Sequence, residues 1–210
     1  MSEIDECYTD TSGKGKFHYQ PPTGFLALCE DNLPTPAIAD PGKHFKCVLW
    51  TGDGNSGRSI TGVGFQPDFV WLKMRNATGA HFLYDSVRGS TNGLHSNLTD
   101  AETVYSNGLL SFNNDGFSLG NRSNNNGSGN TYAAWCWKAG GAAVSNTDGS
   151  ITSQVSANQD AGFSIVSYTG DNTNANKTVG HGLNKTPKFI IVKARSCLLY
   201  TSPSPRDLSE

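Results

Sequence analysis

The sequence predicts an all-β protein: a β-sandwich or jelly-roll-like module followed by a truncated second copy of itself. Three observations carry this expectation. The first is an internal repeat, in which FKCVLWTGDGNSGRSITGVGFQPDFVWLKMR, residues 45–75, returns as FSIVSYTGDNTNANKTVGHGLNKTPKFIIVKAR, residues 163–195. Thr51, Gly52 and Asp53 fall on Thr169, Gly170 and Asp171, and Gly62 and Gly64 on Gly180 and Gly182. After a two-residue insertion, Pro67, Phe69, Lys73 and Arg75 fall on Pro187, Phe189, Lys193 and Arg195. The second is composition. Of 210 residues only 36% are hydrophobic and 16% charged, with 24 glycines, so Asn, Ser, Thr and Gly stand where long surface helices would carry Lys and Glu. The third is the regular spacing of short apolar or alternating runs with turn residues between them, the pattern of sheets that each bury one face.

Taken in order, residues 1–15 are polar and lack a core of their own. Residues 17–32 open with an alternating strand, Phe17 and Tyr19, turn at Pro21–Pro22–Thr23–Gly24 and continue through the apolar residues 25–28. Residues 33–42 are proline-rich and read as a linker. Each copy of the repeat reads as two strands joined by a polar loop. The run 45–50 ends at Thr-Gly-Asp-Gly-Asn, and 69–72 is entered through a proline that suits a strand's start. The recurring Gly-x-Gly marks positive φ or close backbone approach. Residues 109–112 and 117–119 flank Asn113-Asn114-Asp115-Gly116, which is hairpin chemistry. In 133–138, Ala133, Trp135 and Trp137 alternate with Ala134, Cys136 and Lys138, so one strand face carries two indoles. The segment NRSNNNGSGN, 121–130, is too polar to be buried and is expected as a surface loop. The copies are tandem globular modules, since their period is far too long for a solenoid.

Candidate chemistry is sparse. The formal charge of −2 and the lack of a dense Lys/Arg cluster argue against a nucleic-acid surface. No eighteen-residue apolar run exists and the start is acidic, so neither a membrane span nor an export signal is expected. The histidines at 18, 44, 81, 95 and 181 show no metal-ligand spacing, and no cofactor is expected. Asp53, Asp68 and Asp85 suit turns and strand ends better than a carboxylate pair or calcium cage, with Asp85 and Arg88 as a local ion pair. Cys47 and Cys136 are expected as small buried hydrophobes, with no disulfide framework. Trp50, Trp71, Trp135 and Trp137 all sit in apolar runs and are expected in the core.

Four blocks in order, FQPDFVWLKMRN, FLYDSVRG, LLSFNNDGFSLG and TYAAWCWKAGG, spanning residues 45–141 as a module, are similar to an uncharacterised domain recurring in tailed-phage structural and tail-fibre proteins. FHYQPPTGFLALCEDNLPTP resembles the closing strand and exit of the SPRY-like β-sandwich domains of phage structural proteins. CLLYTSPSPRD, 197–207, resembles a transposase sequencing adapter read in frame. Together these imply a SPRY-like remnant and linker at 1–43, a β-rich module at 44–141, a linker at 142–162, a truncated second copy at 163–196 and an adapter-derived tail at 197–210. The resemblance implies a non-enzymatic virion part, assembled in the host cytoplasm. Its partners would be other virion proteins or, in a homotrimer, further copies of the chain.

A glycan-binding module on the same scaffold is the alternative. Its binding rim would be Asn55 and Arg58, Asn92, His95 and Asn97, and Asn124 and Asn126, with a host-surface glycan as ligand. A glycan-degrading enzyme would need a carboxylate pair that the sequence does not single out.

Overall fold

The computed structural model describes residues 7–173 and 175–196. The chain divides into two units, Met1–Ala39 and Asp40–Glu210. The expected tail at 197–210 lies outside the described residues.

The first unit is organised around a charge. Asp10, 5% exposed, accepts hydrogen bonds from the backbone N–H groups of Ser12 (2.9 Å), Lys14 (2.9 Å) and Ala27 (2.6 Å), from the Ser12 hydroxyl (2.7 Å) and from Asn32 Nδ2 (2.7 Å). Burial alone would raise its pKa, but these donors hold it well below the usual carboxylate range. The strand expected through Phe17 and Tyr19 reduces to one bridge between Tyr8 and Phe17, and Phe25 and Leu28 are exposed. Among the described residues only Tyr8 pairs with this segment, so no ladder is completed.

Among its described residues, the regular structure of the second unit is β except for a 3-10 turn at Pro41–Lys43 and a single-turn helix. Its largest sheet is antiparallel, formed by β1 (Phe45–Thr51), β3 (Phe69–Met74), β4 (Phe82–Asp85), β5 (Gly89–His95), β6 (Thr103–Val104) and β9 (Thr131–Trp137), in the order β1-β9-β3-β4-β5-β6. A three-stranded sheet, β2-β8-β7, is built from β2 (Arg58–Ile60), β7 (Leu109–Asn113) and β8 (Gly116–Leu119). The core draws on both sheets. Val48, Trp50, Val70, Leu72, Met74, Phe82, Tyr84, Tyr132, Ala134 and Cys136 come from the six strands, and Ile60, Leu109, Phe117 and Leu119 from the three. Each large apolar side chain so removed from water contributes about 1.5–3 kcal/mol. The all-β, sandwich-like expectation holds. The hairpin also forms where its turn residues stand, with Asn113 opposite Gly116.

Four expectations within this unit are overturned. The 142–162 segment expected as a linker carries β10 (Val144–Asn146) and β11 (Ser153–Asn158), which pair with β12 (Phe163–Tyr168) in a second three-stranded sheet. The 121–130 loop contains α1 (Ser123–Asn126), whose Asn125 and Asn126 are fully buried. Cys47 is exposed, and of the four tryptophans only Trp50 is in the core, at 8% exposure. Residues 189–192 enter no strand, and Phe189 is 78% exposed where its counterpart Phe69 is half-buried.

Three features of the first copy recur in the second. Phe163–Tyr168 is a strand, as Phe45–Thr51 is. Leu183 is buried at 8%, as its counterpart Phe65 is at 5%, and Gly64 and Gly182 share positive φ (84° and 70°).

Candidate functional site

The sequence-predicted rim residues fall in several places. Asn55, Arg58 and Asn126 come together where α1 meets the β1–β2 loop. Asn126 donates through Nδ2 to Asp53 Oδ1 (2.8 Å) and to the Asn55 carbonyl (2.9 Å), and its own carbonyl accepts from Gly54 N (2.8 Å). Arg58 donates to the Thr51 carbonyl at 2.6 Å and lies 3.5 Å from Asp53. The backbone N–H of Asn55, then Asn126 and Arg58, hold the Asp53 carboxyl below its usual range. Gly52 permits the approach, since a Cβ there would lie 2.1 Å from the Gly127 carbonyl. Asn126 is thus committed to joining two loops.

Asn92 and His95 are on β5. Asn92 donates to the Arg88 carbonyl. His95 is 4% exposed, its ring edge-on to Phe82 at 4.6 Å and its Nε2 3.4 Å from the Tyr105 hydroxyl. Asn97 and Asn124 both approach the loop after β3. Asn97 accepts from His81 N at 2.8 Å, and a Cβ on Gly79 would meet Asn124 Oδ1 at 3.9 Å. A shallow cleft of about 770 Å³ opens here, lined by Lys73, Arg75, Asn76, His81 and Asn97 among others. Among the described residues, no aromatic ring other than His81 lines it.

Charge pairing is concentrated around Arg88. Its Nε lies 2.5 Å from Asp85, Nη1 2.7 Å from Glu102 and 3.1 Å from the Asn92 carbonyl, and Nη2 3.1 Å from the Leu83 carbonyl. Glu102 also receives Arg195 at 2.7 Å. Burial pushes the Glu102 carboxyl up, but Arg195 and Arg88 outweigh it and leave it below its usual range. The predicted Asp85–Arg88 pair is therefore one edge of a larger network, and its donors and acceptors serve one another. Asp68 accepts from Ser86 Oγ (3.1 Å) and Ala139 N (2.8 Å), a strand-end role. Among the described residues no group of three or more His, Cys, Asp or Glu is placed to hold a metal, and no helix is long and apolar enough to cross a membrane.

Sequence reasoning missed the outer face of the largest sheet. There the register sets Phe45, Trp137 and Phe69 in one row, Cys47, Trp135 and Trp71 in the next, and Leu49, Ala133 and Lys73 in a third. Phe163 of β12 caps the first row, lying 5.9 Å from Trp137 and 6.0 Å from Phe69. The middle row stays open at its β1 end, with Trp135 36% exposed, Cys47 exposed, and Leu49 beside it 61% exposed. The signal was present in the sequence: both alternating halves of β1 and β9 are apolar, which a strand with one solvated face does not need.

Fold and surface define a β-sandwich-like protein with an apolar strip on the outer face of its largest sheet. The chain belongs to the family described as Domain of unknown function (DUF7483), which matches residues 40–202 and so takes in both copies of the repeat. No curated protein and no solved structure matches it.

Proposed function

We propose that this chain is a non-catalytic assembly module of a tailed-phage virion, part of a tail or tail fibre, that binds other virion proteins or further copies of itself. The open apolar strip of Cys47 and Trp135, with Leu49 of the next row beside it, carries the assembly reading, because an apolar strip left on a sheet whose other face is a complete core marks a contact surface. The four ordered sequence blocks supply the virion assignment. The cysteines at 7, 29, 47 and 136 are free thiols, which suits assembly in a reducing host cytoplasm. Glycan binding has less support: Asn126 and Asn92 spend their amides internally, His95 is buried, and the cleft beside Asn97 lacks an aromatic platform.

Antibodies raised against this chain should decorate tailed particles in the virus-sized fraction of the community that carries its gene. Label confined to cells, with none on particles, would remove the virion reading.

A further inference from the structure

The cleft beside β3 carries one sign of charge. Its lining brings Lys73, Arg75 and His81 together with Asn76, Thr78 and Asn97, and includes no Asp or Glu among the described residues. Nor is Lys73 or Arg75 ion-paired within those residues. Arg195, which the repeat sets against Arg75, is: Glu102 lies 2.7 Å from it. The repeat position thus takes a carboxylate where the chain supplies one, and at the cleft the chain supplies none.

Hydrogen-bonding capacity there is weighted toward donors. Lys73 Nζ donates to the Met74 and Ala77 carbonyls, which occupies those acceptors and leaves one ammonium N–H. Asn76 Oδ1 accepts from Thr131 N at 3.0 Å. Asn97 Oδ1 accepts from His81 N at 2.8 Å, which orients the amide and leaves its Nδ2 group unused among the described residues. The Arg75 side chain is exposed and its guanidinium is committed to no partner there. Burial and then the Lys73 charge lower the His81 pKa, so the lysine's field is felt at the imidazole.

We propose that this cleft binds an acidic saccharide, a sugar chain bearing carboxylate or sulfate groups, with Arg75 and Lys73 on the oxyanion and the Asn97 amide donating beside them. A concave wall of one charge sign concentrates the opposite charge, and the guanidinium fork matches two oxygens of one oxyanion. The volume of about 770 Å³ lies in the range that holds a whole small ligand, so the anion comes with a body attached. A neutral sugar would need a ring to stack on, and His81 is the one ring available among the described residues. A peptide would need a strand edge, and the bordering strands β3 and β4 are each paired on both sides. The inference rests on the cleft alone, so the virion assignment can fail and leave it standing.

Isothermal titration calorimetry on the full chain at low salt tests it, with tetragalacturonate in one arm and a heparin-derived tetrasaccharide in the other. Saturable binding is expected in at least one arm, and the arm that binds separates carboxylate from sulfate recognition. Arg75→Gln should weaken it at least about tenfold. Lys46→Gln should leave it unchanged, since it removes the same charge from an exposed residue that the register sets opposite Cys136 and Val70, away from the Lys73 end of the sheet. Circular dichroism checks that Arg75→Gln folds; Lys73→Gln serves if it does not. Three results overturn the proposal: no saturable binding in either arm, equal weakening by Lys46→Gln, or neutral cellotetraose binding as tightly. Tighter binding of a hexaglutamate peptide than of either saccharide also overturns it and assigns the cleft to an acidic protein segment.

Discussion

Phe163 lies on Trp137 with ring centroids 5.9 Å apart and planes 19° from parallel. Its repeat counterpart, Phe45, meets the same indole at 4.9 Å. One tryptophan therefore receives equivalent residues from both copies, and it anchors β12 to the largest sheet. Phe163→Ala should cost about 1–2 kcal/mol, the worth of a partly buried aromatic and its ring contacts. Leu49→Ala, exposed in the row beside the open one, should change stability by no more than about 0.5 kcal/mol. Urea melts of the two variants check this; equal losses would show that β12 does not depend on the stack.

Asn126 carries a heavier load than its polar surroundings in sequence suggest. Replacing it with Ala removes both Nδ2 donations, leaving Asp53 and the Asn55 carbonyl without that partner, and opens a gap at a fully buried position. A loss of about 2–3 kcal/mol is expected, the range for hydrogen bonds to charged groups. Asn124→Ala, two residues earlier and half-buried, is the control and should cost less than about 1 kcal/mol. A chemical-denaturation series that finds the two equal would dissolve the argument.

How far these features were legible depends on what the sequence pattern can encode. The strands at 45–51 and 69–74, the 113–116 hairpin and the Asp85–Arg88 pair all follow from local chemistry. The core assignment of Cys47, Trp71, Trp135 and Trp137 failed for a definite reason. Alternation separates two faces but cannot say which is inside when both are apolar, as in FKCVLW and YAAWCW. Residues 121–130 misled because composition cannot show that an amide has a partner. Asn125 reaches the Tyr84 hydroxyl at 3.0 Å and Asn126 reaches Asp53, and each partner is contributed by a distant segment. Residues 189–192 have the composition of a strand, yet a strand needs a ladder, and among the described residues none pairs with this segment as β9 pairs with β3 in the first copy. β10 and β11 went unseen because VSN and SQVSAN carry too few apolar residues to show a period.

Arg88 provides a test of the buried charges. Its side chain is 7% exposed and Asp85's is 5%. Arg88→Met leaves Asp85 without its guanidinium partner, and removing one member of such a pair costs about 3–5 kcal/mol. The double variant Arg88→Met with Asp85→Leu should recover part of that loss. Urea midpoints that worsen further in the double variant would show that the network contributes net stability.

Gly116 closes the β7–β8 hairpin at φ 150°, and a Cβ there would lie 2.0 Å from the Ile60 carbonyl. Gly116→Ala must therefore push β8 away from the end of β2. Asp115, whose carboxylate accepts from Gly62 N (3.0 Å) and Gly64 N (2.6 Å), would be displaced with it. A loss of about 2–4 kcal/mol is expected, the upper range for a single backbone change. Gly129→Ala is the contrasting variant: its φ is 77° but nothing lies within 4 Å, so only the left-handed backbone penalty of about 1–2 kcal/mol applies. Thermal melts ranking Gly129→Ala as the worse of the two would refute the steric account.

His95 makes stability depend on pH just below neutrality. Burial lowers its pKa from the ordinary 6.5; Asp100, 3.4 Å from Nδ1, opposes this, while Arg122 and Lys193 add to it. The folded chain consequently binds fewer protons at this site than the unfolded chain once pH falls below about 6.5, so stability declines with acid until the folded pKa is passed. His81, lowered by burial and by Lys73, contributes a second step of the same sign. The carboxylates of Glu102, Asp53 and Asp115 have lowered pKa values and add their own loss only below about 4.5, outside this window. Urea midpoints measured from pH 7.5 to 5.5 should fall for the parent chain and fall less for His95→Gln, which keeps a polar group near Tyr105 but cannot take up a proton. Parallel profiles would show that His95 is not held neutral by the fold, and a steeper profile in the variant would reverse the sign assigned here.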